Sequence, residues 1–135
     1  MLGEAAIVLH RVACALDSVR SRLTEHGAGF FETEQRARPY EDLKQLGHEI
    51  EALADRLSVK LGREHEATAA FASARVAVQD IVEALGRLSD PDRHGALGLQ
   101  KLADETIEHV EDQRTRLDAC RNRFMDAMGD APGKE

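Results

Sequence analysis

Apolar side chains recur in one seven-residue register from Leu43 to Leu88. One seam position holds Leu43, Ile50, Leu57, Glu64, Phe71, Val78 and Leu85; the other holds Leu46, Leu53, Lys60, Ala67, Ala74, Ile81 and Leu88. Lys60 and Glu64 are its polar members. A repeat near 3.5 residues keeps one stripe of a helix against neighbouring helices along its whole length. The same spacing runs earlier through Leu2, Ala5, Leu9, Val12, Leu16, Val19 and Leu23. A third, less strictly apolar row follows in Leu99, Leu102, Thr106, Val110, Gln113, Leu117, Cys120, Phe124 and Ala127.

These rows predict three helical stretches. The first spans about Leu2 to Glu25 and stops at Gly27 and Gly29, residues that take the positive φ on which helices end. The linker from Gly27 to Arg38 is polar apart from Phe30 and Phe31, whose rings are expected to fold back over the end of the core. Pro39 suits a first helical turn, and Glu41 and Asp42 supply the negative charge favoured there, so the second helix is expected to start at Pro39. It is read as continuous through Gly62, because the register is the same on both sides and no other turn former stands beside that glycine. Such a helix is about 73 Å long. After Ser89-Asp-Pro-Asp-Arg-His-Gly, with Asp90 as a cap, the last helix is expected from about Leu97 to Met128, followed by a flexible tail over 129–135.

The expected fold is therefore all-α: an antiparallel bundle of three long helices in a single domain over 1–128, or of four helices if Gly62 is a turn. Its core and interface seam is assigned to Leu43, Leu46, Ile50, Leu53, Leu57, Phe71, Val78, Ile81 and Leu85. The long helix would outrun the other two, so part of its seam would meet a second copy, giving a homodimer or higher oligomer.

Composition agrees with elongated helices. Of 135 residues, 42% are hydrophobic and 32% charged, and the aromatic set is four Phe, one Tyr and no Trp, too few for a compact sheet protein. The net charge of −7 argues against nucleic acid as partner, with Arg114, Arg116, Arg121 and Arg123 as the one candidate basic patch. No stretch approaches the roughly 20 apolar residues that span a bilayer, and the N-terminus carries Glu4 where a secretory signal would be basic. A cytoplasmic protein without membrane contact is expected. Cys14 falls on an outer face and Cys120 on an inner one, positions ill suited to a disulfide.

Candidate chemistry is sparse. Glu105 and His109 share a helical face four residues apart, but one histidine and one carboxylate make an incomplete metal site. His48, in Leu46-Gly47-His48-Glu49-Ile50-Glu51, superficially resembles the His-Glu start of a histidine-kinase dimerisation helix, but the basic residue, Thr and Pro that normally follow are absent. Arg20 with His26, and Arg87 with His94, resemble the Arg-x(5-6)-His pair of small helical HEPN ribonucleases. The reading preferred on the sequence is a non-enzymatic bundle acting through protein partners, itself first, as an adaptor or assembly subunit, with no metal or cofactor. The alternatives are the HEPN-like ribonuclease and a helical metal-binding protein.

Overall fold

A computed structural model describes residues 2–89 and 95–133. It contains four α-helices: α1 (Leu2–His26), α2 (Glu34–Leu61), α3 (Glu66–Leu88) and α4 (Gly95–Gly133), with a short 3₁₀ turn (Gly27–Phe31) between the first two. Each helix packs on two neighbours, α1 on α2 and α4, and α3 on α2 and α4. The ion pairs give the directions. Glu4 meets Arg56 and Arg11 meets Glu49, so α1 and α2 run antiparallel. Arg20 with Glu111 and Asp17 with Arg114 show the same for α1 and α4, as Glu66 with Arg123 and Asp80 with His109 do for α3 and α4.

The continuous helix through Gly62 is not formed. α2 stops at Leu61, and Gly62 takes φ 91° and ψ 153°, a region that side chains with a Cβ rarely enter. The turn is tight and well bonded. The Gly62 N–H donates to the Ser58 carbonyl at 3.0 Å, and the Ala67 N–H donates to His65 Nδ1 at 3.0 Å, so His65 caps α3. The seam breaks where it does because Lys60 is exposed at the end of α2 and Glu64 is exposed in the turn. Two separate stripes share one register, and the seam consumed inside one chain removes the surplus that would have required a second copy.

The start of α2 also differs from expectation. Thr33 is the N-cap, its Oγ1 accepting from the Arg36 N–H at 3.1 Å, and Pro39 lies inside the helix rather than opening it. Pro39 has no N–H for the carbonyl of Gln35, one turn earlier. That carbonyl accepts instead from Arg22 Nη1 of α1, at 3.2 Å.

All nine seam residues lie in the core. Leu43, Ile50, Leu57, Phe71, Ile81 and Leu85 are fully enclosed, together with Leu9, Leu16 and Leu23 of α1 and Leu117 of α4. The core closes differently at its two ends. Near the 3₁₀ turn, Phe30 is buried and stacks edge-on with Phe31 at 4.9 Å, and Phe31 with Tyr40 at 5.1 Å, so the two rings do fold back as expected. Toward the Gly62 end, Phe71 and Phe124 pack with centroids 5.9 Å apart. At Gly27, φ is 53°, a left-handed conformation that favours glycine where α1 ends. The helix α4 runs to Gly133, beyond the expected end at Met128; residues 134 and 135, and the expected cap Asp90, lie outside the described residues. No helix among the described residues is long and apolar enough to cross a membrane.

Candidate functional site

The polar side chains that the fold brings together between helices centre on Asp80 of α3. Its Oδ2 accepts from Gln113 Nε2 at 2.8 Å and lies 2.8 Å from His109 Nε2. Four residues apart, His109 and Gln113 stand one above the other on α4, which lets both reach one carboxylate. Gln113 is 8% exposed and its Oε1 has no hydrogen-bond partner, whereas Asp80 and His109 are partly exposed. Beside them runs a groove of about 260 Å³, lined further by Ala84 and Arg87 of α3 and by Leu102, Glu105 and Thr106 of α4.

The chemistry open to this arrangement is limited. A carboxylate on Nε2 can orient an imidazole, but the hydroxyl in the groove, Thr106 Oγ1, already donates to the Leu102 carbonyl at 2.7 Å. His109 turns toward Asp80 across the helix boundary, and among the described residues no group of three His, Cys, Asp or Glu side chains could hold a metal ion. The cluster joins α3 to α4. Its composition could not be read from spacing, because it depends on which turns of two antiparallel helices lie level.

The other candidate residues are placed apart. Arg20 Nε bonds Glu111 Oε2 of α4 at 2.7 Å, while His26 Nε2 lies 3.3 Å from Glu25 Oε1, so the two members of the Arg20–His26 pair face different carboxylates. Arg87 lines the α3–α4 groove; His94 lies outside the described residues. His48 is exposed beside a groove between α2 and α3 that also includes Lys44, Gly47, Val78 and Val82. Cys14 is exposed and free, with Sγ 3.6 Å from His10 Nε2, and Cys120 is buried and free.

The arginine row on α4 is divided between two neighbours. Arg114 bonds Asp17 of α1 through Nε at 2.9 Å and through Nη2 at 3.4 Å, and also meets Asp118. The hydrogen bond that Arg114 donates to Asp17 leads in holding the guanidinium pKa above its ordinary value, reinforced by the charges of Asp17 and Asp118 and opposed by partial burial. Arg123 instead bonds Glu66 of α3 at 3.1 Å, on the other side of α4.

Among the described residues, four large apolar side chains are exposed: Ile7 at 61%, Val59 at 89%, Val76 at 49% and Met125 at 55%. Ile7, Val59 and Met125 follow closely on Glu4, Arg56 and Arg123, whose ion pairs mark the end of the bundle that carries the Gly62 turn. Comparison of the chain with protein-family models, with characterised proteins and with solved structures finds no match.

Proposed function

We propose that the chain acts without catalysing a reaction, as a helical-bundle module that associates with protein partners, a second copy of itself first, in the manner of an adaptor or assembly subunit. The observation that carries this reading is the presence of exposed Ile7, Val59 and Met125 on three different helices toward one end of the bundle. Burying such exposed apolar side chains against another protein surface is favourable. The polar clusters serve the bundle itself, since Asp80, Glu111 and Asp17 each bond a residue of a neighbouring helix. The seam of Leu43 to Leu85 contributes through stability, by holding the four helices together, and not as the contact surface. The test combines Ile7→Glu, Val59→Glu and Met125→Glu in one variant. Light scattering after size exclusion should show a smaller particle than the wild type, with unchanged helical circular dichroism. Equal masses for the two proteins would contradict the proposal.

A further inference from the structure

We draw no further inference here: the strongest candidate, the exposed Cys14 thiol 3.6 Å from His10 beside the groove between α1 and α2, rests on one surface cysteine with no second observation in the structure that points to a ligand.

Discussion

Arg22 Nη1 donates at 3.2 Å to the carbonyl of Gln35, the carbonyl that Pro39 leaves without a donor in its own helix. A proline inside α2 is thus accommodated by a side chain from α1. Arg22→Ala should lower stability by about 0.5–1 kcal/mol, the worth of an ordinary hydrogen bond. In a Pro39→Ala background the loss should shrink, because an alanine at that position can supply the missing N–H. Denaturant midpoints of the four proteins in this cycle give the coupling, and equal losses in both backgrounds would separate Arg22 from Pro39.

Gly62→Ala should destabilise the protein by about 1–3 kcal/mol, since a Cβ must be held at φ 91° and ψ 153°. No neighbour lies within 4 Å of the added atom, so the cost is conformational rather than a clash. A gain of about 1 kcal/mol, the helix-propensity difference between the two residues, is what a continuous helix would give. Thermal unfolding decides the sign.

The bundle was legible in the sequence wherever a stripe repeated. Leu9, Leu16 and Leu23, the seam from Leu43 to Leu85, and Val110, Leu117 and Phe124 all point inward as their spacing implies. The turn at Gly62 was concealed because α2 and α3 carry stripes in the same register, and the interruptions at Lys60 and Glu64 were its visible trace. Thr33 before Glu34 has the hydroxyl of an N-cap, a local signal that the expected start at Pro39 leaves unused. The Asp80 cluster had no such trace, because a carboxylate on one helix and its two polar neighbours on another come together only through the level at which α3 and α4 pack.

Asp80→Ala should cost about 1–3 kcal/mol, because it leaves the buried Nε2 of Gln113 without its acceptor. Gln113→Leu should cost less than Asp80→Ala, since it removes the donor together with an Oε1 that is already unpartnered, while Asp80 keeps His109. Urea titrations of both variants rank the two effects. A larger loss for Gln113→Leu would mean that the amide makes contacts beyond Asp80.

Phe71→Ala should destabilise by about 3–5 kcal/mol through the cavity it opens against Phe124. The Phe124→Ala loss should add to it incompletely, because the two rings share that space. Full additivity in denaturant unfolding would show that they contribute independently.

Sedimentation equilibrium of the wild type across a wide concentration range tests the association proposal most directly. The account predicts a mass above the 14.9 kDa of one chain that rises with concentration toward a multiple of it. A mass of one chain at every concentration would contradict self-association, even with the four-helix bundle intact.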